Sequence, residues 1–134
     1  EAKALGIAEM VLFCGNVNRP EDYLQAMDVF VMTSLFEGLP IVGVEAQASG
    51  LPCIFADTIT QEVKILPQTQ FLALTQPDEA WAERIVQTKP MERSLAGHCV
   101  ESAGFAEENL DRQVCALYGM EEHHFANISG RDHL

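Results

Sequence analysis

The sequence predicts an α/β domain built on a mostly parallel β-sheet. Short apolar runs alternate with segments that carry helix signals, which is the order of elements in folds of this class. Residues 28–34 are mainly apolar on both faces, as a strand is when helices cover both sides of a parallel sheet. The length of 134 residues suits one domain that buries a core of its own.

The first part of the chain is predicted to contain a strand, a helix and a second strand. Residues 11–14 form a short apolar run ended by a glycine, which is typical of a buried strand. Pro20, followed by two acidic residues, marks a helix start, and we predict a helix over 20–27. Residues 28–34 form the clearest strand of the sequence.

The middle of the chain continues the alternation. A loop leads into a helix over 41–49, and Gly50 fits the left-handed cap that ends such a helix. A third strand is predicted over 53–56. A short helix over 61–66 and a fourth strand over 71–74 follow.

The remainder of the chain is predicted to be helical towards its C-terminal end. Helices are expected over 78–88, 91–102 and 106–119. Trp81 and Ile85 are four residues apart, which places them on one face of the first of these helices. We interpret both as core residues.

Residues 1–120 are predicted to form the domain. Residues 121–134 are predicted to be a disordered tail, because they combine polar residues and glycine without periodicity. The chain opens on Glu1, with neither a leader sequence nor an apolar run near the ~20 residues that cross a bilayer. We therefore expect a cytoplasmic location and a segment taken from a longer protein.

The charge balance disfavours two classes of partner. Twenty acidic and eight basic residues give a net charge of −12. This charge argues against binding to nucleic acid and against direct contact with an anionic membrane. Its simplest interpretation is that it keeps the protein in solution.

The four cysteines are interpreted as reduced thiols that pack as small hydrophobes, because no two have the Cys-x-x-Cys spacing. They are Cys14, Cys53, Cys99 and Cys115. The first two lie in predicted buried strands. The pairs His98-Cys99 and His123-His124 lack regular ligand spacing, so no metal site is predicted.

The loop over residues 35–40 carries the most informative chemistry. In an open parallel sheet, ligands bind beyond the carboxyl ends of the strands, where this loop lies. Glu37 is in the loop and Glu45 is about one turn into the next helix, so we expect both carboxylates to reach one crevice. Gly38 lets a ligand approach the backbone, and the free N–H groups around residues 39–42 favour an anion.

An anion cradle flanked by two carboxylates suits a sugar nucleotide, since amides bind the diphosphate and carboxylates accept hydrogen bonds from vicinal hydroxyls. A purely structural alternative exists, because an acidic residue near a helix start stabilises the helix by ~0.3–1 kcal/mol without a ligand. Glu37 alone fits that alternative. Glu45 follows an apolar run, so we expect it to be partly buried, which is costly for an unpartnered carboxylate.

A longer set of residues matches a known signature. The set comprises Phe13-Cys14-Gly15, Tyr23, Ala26, Asp28-Val29-Phe30-Val31, Ser34, Glu37-Gly38-Leu39-Pro40, Glu45-Ala46, Ala48, Gly50-Leu51-Pro52 and Ile54. It resembles the donor site of the family 4 retaining glycosyltransferases, whose hallmark is two glutamates separated by seven residues, here Glu37 and Glu45. The resemblance runs from Val11 to Trp81 and more loosely to Tyr118.

The resemblance implies the C-terminal, donor-binding domain of an enzyme with two Rossmann-like domains, the GT-B fold. Carried over, Glu37 is the catalytic-site glutamate that contacts the donor sugar, and Glu45 contacts the ribose. Ser34 and the amides of Gly38 and Leu39 complete the donor site. The implied donor is a nucleotide-sugar, in particular a UDP-sugar, and the implied transfer retains anomeric configuration without a metal or cofactor. The implied acceptor is a saccharide or a lipid-linked saccharide, bound by an N-terminal domain, with the full-length enzyme at the inner face of the membrane.

The sequence also departs from the family. The commoner loop reads Glu-Gly-Phe-Gly-Leu-Pro, whereas this chain has Pro40 in place of the second glycine, a variant that resembles enzymes of capsular and exopolysaccharide synthesis. The family's Gly-rich turn, and its Arg and Lys for the diphosphate, have no counterpart before Val11. We therefore expect no transferase activity from this chain alone. With its neighbours in the sheet order 3-2-1-4-5-6 missing, strand 11–14 is expected to pair with 29–32 or with another copy of the chain.

Two alternatives remain at this point. One is a related GT-B enzyme such as a sugar-nucleotide epimerase or a phosphorylase. A phosphorylase needs a lysine for pyridoxal phosphate, and Lys3, Lys64 and Lys89 lie in no suggestive context. The other is a non-catalytic α/β module whose acidic face binds a basic protein.

Overall fold

The computed structural model describes residues 1–105 of the chain. Within these residues the helices are α1 (Pro20–Ala26), α2 (Ile41–Ala48), α3 (Asp78–Gln87) and α4 (Arg93–Val100), and the strands are β1 (Phe30–Met32), β2 (Cys53–Ala56) and β3 (Gln70–Leu72). Single 3₁₀ turns occur at Ala8–Met10 and Gln61–Val63, and a π-helical turn, Glu101–Phe105, follows α4.

The strands form a parallel sheet in the order β1-β2-β3 within residues 1–105. Phe30 pairs with Cys53 in the register of the first ladder, and Ile54 pairs with Gln70 in that of the second. The predicted α/β class and parallel sheet are therefore confirmed. This Rossmann-like arrangement places the carboxyl ends of all three strands at one edge of the sheet.

The core of the domain is centred on β2. All four of its residues are fully buried, as expected for a central parallel strand covered on both faces. The Phe55 ring lies 6.0 Å from the Phe30 ring and 5.8 Å from the Phe71 ring, measured between centroids. One aromatic residue from each strand thus joins the sheet into a single packed layer.

Helix α2 packs closely against β2 because Gly43 has no side chain. A Cβ atom at Gly43 would lie 2.8 Å from Cζ of the Phe55 ring. At the other end of the helix, Gly50 has a φ of +78° and confirms the predicted left-handed cap. The amide of Leu51 donates to the Ala46 carbonyl at 3.1 Å, which closes the turn after the helix.

The side chain of Gln47 is a buried polar hub. It is completely inaccessible to solvent. Its amide nitrogen donates to two carbonyls and its amide oxygen accepts three hydrogen bonds, which uses its full donor capacity. The partners, at 2.7 to 3.0 Å, are the carbonyls of Gly43 and Val63, the amides of Ile65 and Leu66, and the Thr69 hydroxyl. Through them α2 fixes the segment 63–69 that leads into β3.

The prediction of a buried strand over 11–14 is wrong. Leu12 and Phe13 are 83% and 84% exposed, and Cys14, predicted to be buried, is exposed too. Pairing with 29–32 is also wrong, because the ladders of the sheet within residues 1–105 join β1 to β2 and β2 to β3. A short apolar run does not itself specify a partner strand, and a strand forms only where a neighbour accepts its hydrogen bonds.

Other predicted elements are present with different limits. The expected helix over 61–66 is reduced to the 3₁₀ turn Gln61–Val63. The expected strand over 71–74 is β3, which begins one residue earlier and ends two residues earlier. Trp81 packs against the core as predicted, although it and Ile85 are only partly buried. The predicted helix over 106–119, the tail 121–134 and Cys115 lie outside the described residues.

None of the helices within residues 1–105 combines the length and the apolar character that a membrane span requires.

Candidate functional site

The loop between β1 and α2 leaves the sheet at the carboxyl ends of the strands. We call residues 34–40 the open loop. Ser34 and Glu37 within it are partly buried, whereas Gly38 and Leu39 are exposed. Pro40 is buried and forms the N-cap of α2. The structure therefore gathers four of the predicted site residues on one loop at the edge where a parallel sheet binds ligands.

The connection between β2 and β3 anchors the open loop. The hydroxyl of Thr58 donates to the Ser34 carbonyl at 2.7 Å. Glu37 forms an isolated parallel bridge with Ile59, whose side chain is almost completely buried. Sequence reasoning missed Thr58 and Ile59, because both contacts join residues more than 20 positions apart and no local pattern marks them.

The polar side chains of the open loop are uncommitted. Neither the Glu37 carboxylate nor the Ser34 hydroxyl makes a hydrogen bond or ion pair with any residue that the structure describes. A Cβ atom at Gly38 would meet no described atom within 4 Å. The packing of the protein itself therefore does not require a glycine there, which leaves close approach by a ligand as a reason for it.

The N-terminus of α2 lacks a capping side chain among the described residues. The carbonyl of Pro40 accepts from the amides of Gly43 and Val44, so the amides of Ile41 and Val42 have no partner within the helix. These N–H groups carry the positive end of the helix dipole. An anion at this position would satisfy them.

Glu45 is exposed, so the expectation of partial burial is wrong. Its neighbours Val44 and Ala46 face the core, and each residue of a helix is rotated by about 100° from the last, which turns Glu45 outward. The helix thus buries its apolar residues without burying this carboxylate. No partner is needed to offset a desolvation cost.

Glu45 lines an open groove of about 420 Å³ between α1, α2 and the start of α4. The groove has an apolar floor and a polar rim. Its lining residues are Glu21, Leu24, Gln25, Glu45, Ala48, Ser49 and Arg93. They do not include Ser34, Glu37, Gly38 or Leu39, so the expectation that both glutamates line one crevice is not met by this groove.

Arg93 and Glu21 set the charge of the groove. The Arg93 guanidinium donates to the Gln25 carbonyl and makes no ion pair with the described residues. The pKa of Glu21 lies below its ordinary value, first because of a hydrogen bond with the backbone and then because of Arg19. Glu21 is therefore an anion at neutral pH, and the groove offers carboxylates beside one cation.

A second groove, of about 590 Å³, borders the open loop on the side of α3. It is mainly apolar, and sequence reasoning missed it because Trp81 and Ile85 were assigned to the core. Its lining residues are Val31, Thr33, Leu35, Leu74, Gln76, Asp78, Trp81, Ala82 and Ile85.

The part of the chain that the structure describes contains no cluster of metal ligands, and the buried thiol of the sheet is unreactive. Over residues 1–105, no group of three or more His, Cys, Asp or Glu side chains is placed to hold a metal ion. Burial raises the pKa of the Cys53 thiol to about 12, so that it stays protonated and unreactive in the folded protein.

Comparison with known proteins identifies the family to which the chain belongs. A family model described as "Glycosyl transferases group 1" matches residues 1–88. The putative glycosyltransferase EpsF of Bacillus subtilis (strain 168) is 48% identical over 88 residues, which cover 65% of this chain and 23% of that protein. The Vi polysaccharide biosynthesis protein VipC/TviE of Salmonella typhi is 36% identical over 117 residues, covering 81% of this chain and 20% of that protein.

The name of a third relative states its substrates. The UDP-Gal:alpha-D-GlcNAc-diphosphoundecaprenol alpha-1,3-galactosyltransferase of Escherichia coli is 42% identical over 53 residues, covering 40% of this chain and 14% of that protein. The chain thus spans between 14% and 23% of the length of these relatives. Because the family model extends over more than half of its residues, the chain belongs to the group 1 glycosyl transferases.

Proposed function

We propose that this chain is the donor-binding part of a glycosyltransferase that moves a sugar from a nucleotide-sugar to a saccharide or lipid-linked acceptor during polysaccharide synthesis. The observation that carries this proposal is the open loop. It is held at the carboxyl edge of a parallel sheet, yet the Glu37 carboxylate and the Ser34 hydroxyl make no hydrogen bond or ion pair with the described residues. The family assignment favours a transferase over a non-catalytic interaction module and over an epimerase or phosphorylase.

Different groups of the site bind different parts of the donor. The unpaired Glu37 carboxylate accepts hydrogen bonds from hydroxyls of the donor sugar. The amides of Gly38 and Leu39, with the uncapped start of α2, stabilise the charge of the diphosphate. Pro40 contributes no N–H, so the first donors of the helix itself are Ile41 and Val42.

The groove beside α2 takes the nucleoside. Glu45 accepts hydrogen bonds from the ribose hydroxyls, and the apolar floor formed by Leu24 and Ala48 lies beneath the sugar or base. A groove of about 420 Å³ has the volume of a small-molecule site. We propose a UDP-sugar as donor because the name of the relative from Escherichia coli specifies UDP-Gal.

Catalysis needs more than this chain. In the proposed reaction the glycosyl group is transferred with retention of anomeric configuration, without a metal or cofactor, and Glu37 is the catalytic-site residue that contacts the sugar. The acceptor binds to an N-terminal domain, and the reaction takes place in the cytoplasm at the inner face of the membrane. The name of the relative from Escherichia coli includes a diphosphoundecaprenol acceptor, which supports a lipid-linked acceptor here. Purified alone, this chain is expected to bind donor without transferring sugar.

The test is a calorimetric titration of the chain with UDP and with UDP-glucose. Glu45→Ala should lower the affinity for both ligands about tenfold, because both contain the nucleoside whose hydroxyls are proposed to bind the charged Glu45 side chain. Glu37→Ala should weaken UDP-glucose by a similar factor and leave UDP unchanged. Transfer to an acceptor by the chain alone would contradict the expected division of labour.

Glu83→Ala is the matched control, since Glu83 is an exposed glutamate on α3 that lines neither groove. It should bind both ligands as the wild type does. Binding of neither ligand by the wild-type chain, or equal losses in all three variants, would overturn the proposed function.

A further inference from the structure

Between its ends at β1 and α2, the open loop is held by the connection between β2 and β3. Its own residues supply the groups proposed to meet the donor, but the contacts that fix them come from the connection between β2 and β3. Thr58 and Ile59 in that connection follow β2, whereas Ser34 and Glu37 follow β1. Since β1 and β2 are parallel neighbours, both connections emerge at the same edge of the sheet.

We propose that Thr58 is a positioning residue for Glu37, and that its hydroxyl sets the affinity of the site for the sugar part of the donor. This inference rests on the proposed function, because it assigns to Thr58 the orientation of a carboxylate that meets sugar hydroxyls. Thr58 itself touches no donor group in this scheme. It acts through the Ser34 carbonyl, three residues before Glu37.

The backbone bridge at Glu37 and the hydrogen bond at Ser34 differ in how firmly they hold the loop. Ile59 is buried in the core, so the backbone bridge between Ile59 and Glu37 rests on a fixed point. At the Ser34 end of the loop, the Thr58 hydroxyl donates a side-chain hydrogen bond at 2.7 Å. Without that hydroxyl, the loop between β1 and α2 would keep the Glu37–Ile59 bridge but lose the hydrogen bond that fixes its Ser34 end.

Loss of this hydrogen bond should therefore weaken binding of the sugar part of the donor and leave binding of the nucleoside unchanged. The groove that holds Glu45 is lined by residues of α1, α2 and α4 and contains neither Thr58 nor Ser34. Movement of the loop at its Ser34 end would misplace the Glu37 carboxylate relative to the sugar hydroxyls. It would leave the ribose contact of Glu45 in place.

Thr60 provides a matched control on the same connection. Its hydroxyl accepts a hydrogen bond from the Glu62 amide at 3.4 Å and makes no hydrogen bond with the open loop. Thr58→Val and Thr60→Val remove the same atom from the same stretch of chain. Thr58→Ser restores the hydroxyl without the methyl group.

The experiment titrates the 134-residue chain and these variants with UDP and with UDP-glucose, with amide ¹⁵N relaxation recorded for each protein. Thr58→Val should lower the affinity for UDP-glucose about threefold to tenfold, the effect of one hydrogen bond, and leave the affinity for UDP unchanged. Thr58→Ser and Thr60→Val should bind both ligands as the wild type does. The order parameters of residues 35–39 should fall in Thr58→Val and those of α2 should not.

Equal losses for UDP and UDP-glucose in Thr58→Val would overturn the positioning role, and so would an unchanged affinity or an unchanged order of the loop. In each of these cases the wild-type titration still shows donor binding, and the proposed function stands. If the wild-type chain binds neither ligand, the proposed function fails and takes this inference with it.

Discussion

Two side chains on α2, two positions apart, show how differently one helix uses its faces. Gln47 is fully buried and makes five hydrogen bonds, which tie the helix to residues 63–69. Glu45 is exposed and makes none with the described residues. The same contrast separates the region around Gln47 from the open loop, where Glu37 is likewise unpaired.

The difference separates stability from binding. Every polar group on the Gln47 side chain has a partner inside the protein, so a substitution there leaves buried polar groups without a hydrogen bond in the folded state. In the open loop and at the start of α2 a deficit of hydrogen bonds already exists, because the Glu37 carboxylate has no partner among the described residues and the amides of Ile41 and Val42 have none within the helix. Substitutions in the two regions should therefore affect different measurements.

The largest expected effect is that of Gln47→Leu. The substitution replaces the amide with an apolar group of similar size and removes the partner of two carbonyls, two amides and a hydroxyl, all of them buried or partly buried. We expect the free energy of unfolding to fall by about 3 to 5 kcal/mol, which is the scale of a broken buried network. Urea unfolding followed by circular dichroism measures it.

Gln87→Leu is the control for this prediction. Gln87 is an exposed glutamine on α3 whose amide contacts Glu83 at 3.4 Å. Its substitution should change the unfolding free energy by less than about 0.5 kcal/mol. Similar unfolding midpoints for the two variants would show that the hub around Gln47 does not stabilise the fold.

A smaller effect is expected from adding one methyl group at a glycine, and the outcome should depend on the region. At Gly43 the new Cβ would lie 2.8 Å from the Phe55 ring, which the buried ring can relieve only by shifting. We expect Gly43→Ala to destabilise the fold by about 1 to 2 kcal/mol, since overpacking outweighs the gain in helix propensity.

Gly38→Ala is the corresponding change in the open loop. The new Cβ meets no described atom within 4 Å, so the unfolding free energy should change by less than about 0.5 kcal/mol. The affinity for UDP-glucose should nevertheless fall, because the methyl group occupies the space through which the diphosphate approaches the backbone. Loss of stability without loss of affinity in Gly38→Ala would reverse the assignment of the two regions.

The sequence predicted those features that depend on neighbouring residues. Pro20 begins α1, Gly50 ends α2 and the four apolar residues 53–56 form the central strand, each from a local signal. The apolar run 28–34 likewise placed the loop that follows it at the carboxyl edge of the sheet. These are features in which the chemistry of a few adjacent residues decides the backbone.

Features that depend on distant residues were not predictable in this way. The run 11–14 has the composition of a buried strand, but its exposure is decided by which strands lie beside it. The anchoring of Ser34 by Thr58 and the role of Gln47 both join segments more than 15 positions apart. A glutamine in a helix carries no mark in the sequence that it will be buried. Glu45 was misjudged for the opposite reason, because its apolar neighbours suggested burial and the rotation of the helix turned it outward.

The smallest expected effect belongs to the core and comes from the thiol of Cys53, which is buried in β2. Burial raises the pKa of Cys53 from 9.0 to about 12, so its thiol ionises in the unfolded chain at a lower pH than in the folded one. This contribution to stability is fully present below pH 9, the unfolded value, and is lost as the pH rises towards the folded value of about 12. Raising the pH from 7 to 9.5 should therefore reduce the Cys53 contribution to the unfolding free energy by about 0.8 kcal/mol, because the thiol of the unfolded chain, with a pKa of 9.0, ionises over this range and the folded one does not. The measurement is the difference in pH dependence between the wild type and Cys53→Ala, in which all other titrating groups cancel. If Cys53→Ala kept the pH dependence of the wild type, the Cys53 thiol would not be as strongly desolvated as its burial indicates.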